Sequence, residues 1–337
     1  MTLKRLELTR SQILGFRRHV GALEERLSPD SGSLRIAAGA GLTDSMPRAA
    51  LLSLHARVEG VRPSALDDPA LVQVWGPRFS AYAVPAEDMA VFTLGRHSYN
   101  PARRERAEGL ATRIREFLDG RRMPYGEVGR ALGVDPNALR YATTTGTVAI
   151  SWDGARQPEI WTVPPPEMSL DDARMELARR FLHIFGPASA ESFATWAGIR
   201  GGGVVFDELA DSLTPVETPV GDGWILAEDE SAFREERDRS LGPRLLPSGD
   251  TYTLLWGADR DLLVADTAEQ TLLWTPRVWP GAVLVGGEVV GTWRRSMEKV
   301  TIEPWRPLTG NEREELEREA WSFPLPGLTA PVSVNWG

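Results

Sequence analysis

Apolar residues recur at helical spacing from the start of the chain. Ile13, Leu14, Phe16, Val20, Leu23 and Leu27 follow Thr9, a good N-cap, and predict a helix that closes at Ser28-Pro29. A Gly/Ser-rich loop over 31–41 leads to Pro47, suited to a first helical position, and to a helix over 48–58. A short helix over 64–72, an extended stretch over 74–84 and a helix entered through Pro85-Ala86-Glu87-Asp88 complete a first group. From Asn100 the order repeats. A helix over 102–119 turns Leu110, Ile114, Phe117 and Leu118 inward, 125–134 reads as a helix and tight turn, and Asp135-Pro136 opens a further helix through Tyr141. The segment 147–163 alternates apolar and polar residues around Asp153-Gly154, a hairpin signal and the expected wing.

Pro164-Pro165-Pro166 is a stiff break. Beyond it come helices over 170–185, 189–198 and 206–213 and a hairpin over 216–226 turning at Gly221-Asp222-Gly223. After about Asp229 strands are predicted over 251–255, 262–265, 282–294 (turning at Gly286-Gly287) and 300–305 and near Val332, with one acidic helix over 311–321. The expected fold is therefore α+β: winged-helix units over 1–99, 100–166 and 167–228, followed by a β-rich C-terminal domain over 229–337.

Composition narrows the chemistry. The 337 residues, 42% of them hydrophobic, suffice for several cores, and the absence of cysteine removes disulfides, thiolate metal sites and cysteine nucleophiles. No window approaches the roughly 18 apolar residues of a membrane span, so a cytoplasmic address and no membrane partner are expected. The net charge of −9 is unevenly spread: residues 1–145 carry +5 and residues 146–337 carry −14. A polyanion should therefore meet the N-terminal part. Only Lys4 and Lys299 among the 38 basic residues are lysine, which either suits forked phosphate contacts or reflects codon usage.

Three stretches together carry a resemblance. Residues 51–57 (Leu-Leu-Ser-Leu-His-Ala-Arg), 74–80 (Val-Trp-Gly-Pro-Arg-Phe-Ser) and 84–88 resemble the N-terminal signature of winged-helix DNA glycosylases that unhook alkylated bases and interstrand crosslinks. Arg179-Arg180-Phe181-Leu182 with Phe185-Gly186-Pro187-Ala188, then Phe193-Ala194 and Trp196-Ala197-Gly198, look like that family's third unit. Leu245-Leu246-Pro247 with Asp250 and Tyr252, and Gly291-Thr292-Trp293-Arg294, extend the likeness to the C-terminal part. The resemblance implies excision of bulky or crosslinked alkylated bases by N-glycosidic hydrolysis, without metal or cofactor, by a monomer acting on damaged duplex DNA. Self-resistance to a DNA-alkylating natural product is one setting it suggests.

In that family a glutamine–apolar–glutamine or glutamine–apolar–aspartate motif is the catalytic pair, and the resemblance puts His55-Ala56-Arg57 at its position. Glycosidic cleavage develops positive charge on the sugar, so the site needs negative or polar groups and an oriented water. His55, with an ordinary pKa of roughly 6.5, suits the water. Arg57 opposes the developing cation unless Glu59 or Asp44 neutralises it, and would otherwise hold a phosphate or an uncharged adduct. Arg78 matches a family arginine, whereas Phe79 and Tyr82 replace a small residue and a histidine. Trp75, Phe79 and Tyr82 either stack on a lesion base or pack the core. Arg103 and Arg104, with Arg140 on the expected recognition helix, either touch phosphate or form a solvated face. Arg294 ends a hairpin that either probes a groove or is ordinary sheet. His19, His97 and His183 have no partner at metal spacing and read as structural. The alternative to a glycosylase is a non-catalytic DNA-binding or regulatory protein that kept the scaffold and lost the catalytic pair.

Overall fold

A computed structural model of the protein describes residues 5–154, 156–235, 237, 242–328 and 330–337. The fold is mixed α+β, and the helix, helix, helix, hairpin order recurs three times before a sheet-rich C-terminal part. In the first group the helices Ser31–Ala37 and Ala49–Arg57 precede the hairpin Leu71–Trp75/Ala81–Pro85. The stretch expected to be a loop over 31–41 is thus largely helical. Asp30 caps it by accepting from the Ser33 amide, and Leu34 and Ala37 bury its inner face. The helix expected over 64–72 is a single 3-10 turn, Ala65–Asp67, followed by strand, because pairing of the Val72- and Val74-bearing segment with 81–85 overrides the local periodicity.

The first helix, Arg10–Val20, begins at a capping box made by Thr9 and Gln12. It stops at Gly21 and not at Leu27; the Gly21 amide donates to Arg17 O, and a Cβ there would stand 2.7 Å from that oxygen. Its inner face packs away from the helices that follow it. Ile13 and Phe16 share a core with Val216, Ile225, Phe233 and Leu262, with Phe16 stacked on Phe233 at 3.7 Å. The strand Leu6–Glu7 pairs in parallel with the third hairpin at Val216 and Glu217. Packing therefore crosses the boundaries read at residues 99, 166 and 228.

The second group matches its periodicity closely. Asn100 caps the helix Pro101–Leu118, and the helix Tyr125–Leu132 ends at Gly133 in the left-handed region, φ 66°. A Cβ on Gly129 would lie 2.9 Å from Pro136 Cα, so the tight crossing into the next helix requires glycine. The wing strands Val148–Ser151 and Glu159–Thr162 join the first hairpin through one registered pair, Gln73 with Ile150, to give a six-stranded sheet. The Gln73 side chain reinforces the seam, accepting from the Trp152 amide at 2.6 Å and donating to its carbonyl at 3.2 Å.

In the third group Phe181, Phe185, Phe193 and Trp196 form the aromatic centre of the largest core. Its hairpin, Leu213–Thr218/Gly221–Leu226, turns two residues ahead of the expected glycine run. The C-terminal sheet runs Arg244–Leu246, Gly281–Val285, Glu288–Ser296, Lys299–Pro304, Ser333–Trp336, with the helix Gly310–Trp321 packed on it through Leu316 and Ala320. Residues 251–253 form a 3-10 turn capped by Asp250, and Asp259–Leu263 is helical; both short apolar runs had read as strands. A Cβ on Gly281 would meet Trp293 Nε1 at 2.2 Å and Leu246 O at 2.4 Å, the two atoms that hydrogen-bond each other. Gly281→Ala is expected to lower stability by about 1–3 kcal/mol through overpacking, read in a thermal melt.

Candidate nucleic-acid interface and catalytic groups

All nine residues of Ala49–Arg57 are buried. The helix's last carbonyls are satisfied from outside: Arg26 Nε donates to His55 O at 2.8 Å and Arg244 Nε to Ala56 O at 3.0 Å. Arg57 uses every guanidinium donor. Nε donates to Gly21 O (2.8 Å), Nη1 to Ser53 O (2.9 Å) and Asp250 Oδ2 (2.7 Å), and Nη2 to Asp250 Oδ1 (2.8 Å) and Thr251 Oγ1 (3.1 Å). Five N–H groups and five bonds leave none for a phosphate or adduct. Its counter-ion is Asp250, not Glu59 or Asp44. The cavity that Arg57 borders has a volume of about 10 Å³, room for a single water at most.

His55 faces the C-terminal helix. Its Nε2 lies 2.9 Å from Ser322 Oγ, its ring meets Phe323 edge-on at 5.5 Å, and Nδ1 is 3.8 Å from Glu319 Oε1 with no hydrogen-bond partner. Burial pushes the imidazole down to about 4, with the Glu319 charge opposing in part, so it is neutral at pH 7. His55 and Arg57 therefore act on different neighbours and do not converge on one concave surface.

Five residues before the first residue of the helix, Asp44 holds its N-terminus. Oδ1 accepts from the Ala50 amide at 3.1 Å, Oδ2 from Gln73 Nε2 at 3.0 Å, and the Asp44 amide donates to Ala81 O at 2.7 Å. Burial pushes this carboxyl up to about 6, against the bonds from Ala50 and Gln73 and the Arg48 charge. Ser45, Met46 and Pro47 beside it are exposed. The sequence offers Asp44 only as a possible counter-ion to Arg57, and no motif marks Gln73.

The tip of the first hairpin, 76–80, carries the other candidates. Trp75 and Tyr82 are buried in the core, Tyr82 filling the space where a Cβ on Gly76 would stand. Phe79 is half-buried and Arg78 is exposed, with its guanidinium 5.5 Å from the Trp256 ring. Buried Arg96 lies behind, 4.6 Å over Phe79, anchored to Ala197 O and Trp75 O. Arg140 reaches across from the second group, 3.5 Å from Phe79 O and 5.8 Å over Trp75. The structure thus brings Trp75, Arg78, Phe79, Tyr82 and Arg140 into one neighbourhood, separate from His55 and Arg57. Arg103 is exposed and Arg104 half-buried on the helix Pro101–Leu118. Arg294 is exposed and donates to Val278 O. The Gly286-Gly287 turn of its hairpin packs on Arg18, so the end that reaches solvent is the opposite one, at Met297. Tyr141, 57% exposed, stands edge-on to Phe79 at 4.9 Å; it had been read only as the end of a helix.

Three helix–hairpin groups, two sharing a sheet whose tip bears an exposed arginine and an aromatic ring, precede the C-terminal sheet in a mixed α+β fold. The chain belongs to the AlkZ-like DNA glycosylase family, whose model, described as DNA glycosylase AlkZ-like, matches residues 37–323. A curated relative, an interstrand DNA cross-link repair glycosylase of Streptomyces sahachiroi, is 24% identical over 156 residues, covering 44% of this chain and 42% of that protein. The solved structure of the Streptomyces sahachiroi DNA glycosylase AlkZ has the same fold, with TM-score 0.76 at 16% identity over 98% of this chain and 100% of that one. No helix among the described residues is long and apolar enough to cross a membrane, and no group of three His, Cys, Asp or Glu among them could hold a metal ion.

Proposed function

We propose that this chain is a DNA glycosylase that hydrolyses the N-glycosidic bond of bulky or crosslinked alkylated bases in duplex DNA, with protection from a DNA-alkylating natural product as its setting. Membership of the AlkZ-like family over residues 37–323 carries the reading. The Streptomyces relative, an interstrand DNA cross-link repair glycosylase, supplies the crosslink as substrate class. Arg57 does not stand against the chemistry, because Asp250 neutralises it at 2.7 Å. We assign the water-positioning role to Asp44 rather than to His55. A carboxylate favours a developing sugar cation, titration near 6 suits a base working near neutrality, and the Asp44 amide donates to Ala81 O next to the hairpin tip that bears Arg78 and Phe79.

Incubation with duplexes bearing N7-alkylguanine, a bulky adduct or a crosslink, followed by hot alkali, is expected to produce strand breaks at the lesion. A second reading, a DNA-binding protein without glycosylase activity, is favoured by the full engagement of Arg57 and the burial of His55 and Asp44. Uncut lesions across the whole panel, together with salt-sensitive DNA binding, would establish that reading instead.

A further inference from the structure

The tip of the first hairpin holds two consecutive non-glycine residues in the left-handed region, Arg78 at φ 56° and Phe79 at φ 58°. L-residues avoid that region, and a pair of them persists only where the surroundings fix it. Here the fixing groups are visible. The Gly76 amide donates to Ser80 O at 2.9 Å, a Cβ on Gly198 would stand 3.2 Å from Arg78 Cα, and Arg96 lies over one face of Phe79. The result aims the Phe79 ring at Tyr141, which projects from the second group's recognition helix. Arg78 adjoins Phe79 in the chain with its guanidinium 5.5 Å from the Trp256 ring, Arg140 Nη1 is 3.5 Å from Phe79 O, and neither arginine has a carboxylate partner among the described residues. Arg140 Nε is buried without a hydrogen-bond partner among the described residues.

Two aromatic rings with two nearby arginines that no described carboxylate pairs are what a nucleobase and its phosphates require: a π-face for the base and cations for the backbone. We propose that Phe79 and Tyr141 form a stacking wedge for a base left unpaired in duplex DNA, with Arg78 and Arg140 on its flanking phosphates. The strained backbone keeps Phe79 from folding back into the core, and Tyr141 makes the wedge a joint product of two winged units. The inference rests on the DNA-handling reading above and not on the chemistry assigned to Asp44.

The test uses the full chain and a short duplex carrying 2-aminopurine opposite a tetrahydrofuran abasic analogue, which has no glycosidic bond to cut at the abasic position. Binding is expected to quench the 2-aminopurine and to favour this duplex over the fully paired one. Tyr141→Ala should lose the quench and weaken binding to the abasic duplex by roughly 5- to 150-fold, the range for one base–aromatic stack, with binding to paired duplex little changed. Phe79→Gly, which relieves the backbone, should lose the same signal, whereas Tyr141→Phe should keep it. Because the readout is stacking, a protein unable to cleave any lesion would still show it. Parental quenching and preference in Tyr141→Ala, or no quenching by the parent protein, would overturn the proposal.

Discussion

Truncating Asp250 to alanine is expected to cost about 3–5 kcal/mol of folding stability, because it strands the guanidinium of Arg57 inside the protein. The loss is larger than one ion pair suggests, since the same carboxylate accepts from Ser53 Oγ at 2.6 Å and caps the 251–253 turn through the Tyr252 amide at 3.0 Å. Arg57→Met in the Asp250→Ala background should recover much of the deficit by removing the unpaired charge, a coupling that a urea-denaturation double-mutant cycle reads directly. The pH dependence has a definite sign. Burial raises the Asp250 carboxyl, but the Arg57 charge and the bonds from Arg57, Ser53 and Tyr252 outweigh it and hold the group below its ordinary value. Its stabilisation is therefore present above about pH 4 and is lost as pH falls through the lower folded value, so acid should narrow the gap between parent and variant. A variant as stable as the parent at pH 7 would show that the pair does not anchor the helix.

Asp44→Asn is expected to slow lesion cleavage by about 100-fold or more, the contribution of a positioned base, while DNA affinity changes less than about twofold. The parental rate should climb with pH through about 6 and level off above it, as the carboxylate forms. Were His55 the base, the limb would lie near 4 instead, so the position of the limb separates the two groups. Stability should move the other way. A carboxyl whose folded pKa is raised binds its proton more tightly in the native state, so its favourable contribution is present below the unfolded value and declines as pH rises toward 6. Asn can still accept from the Ala50 amide, but its amide nitrogen then faces the Gln73 Nε2 donor, so the lost bond offsets the gain from removing a buried carboxylate and Asp44→Asn should shift stability near pH 7 by less than about 2 kcal/mol in a thermal melt. Cleavage at the parental rate in Asp44→Asn would remove the assignment.

The elements most legible in the sequence carry their own punctuation. Asn100, Ser169 and Thr309 cap long amphipathic helices, and Asp153-Gly154 lies between the two wing strands. The helix at 31–37 was hidden because its seven residues bring only Leu34 and Ala37 to the core as apolar residues and sit in Gly- and Ser-rich sequence. The site was less legible still. His55 and Arg57 stand out as polar residues in an apolar helix, but what occupies them lies far along the chain: Asp250 is 193 residues from Arg57 and Ser322 is 267 from His55. Nothing in the local pattern distinguishes a side chain committed to its own fold from one held free for substrate. Gln73 carries no motif either; its importance comes from a strand pairing across two units. Arg140-Tyr141, by contrast, offers a usable signal, an arginine and an aromatic side by side in the short helix Leu139–Ala142.

The placement of Ile13 and Phe16 against Phe233 and Leu262 bears on how the chain is made as well as how it stands. During synthesis the first helix emerges with no surface to cover its apolar face, and must wait until more than two hundred further residues have left the ribosome. The three helix–hairpin groups cannot then mature in the order in which they are translated; the last of them closes only when the helix Arg10–Val20 returns to it. Trimming the N-terminus would consequently damage the third unit before the first, and protease sensitivity in such a truncation should appear around Phe233 rather than near the cut.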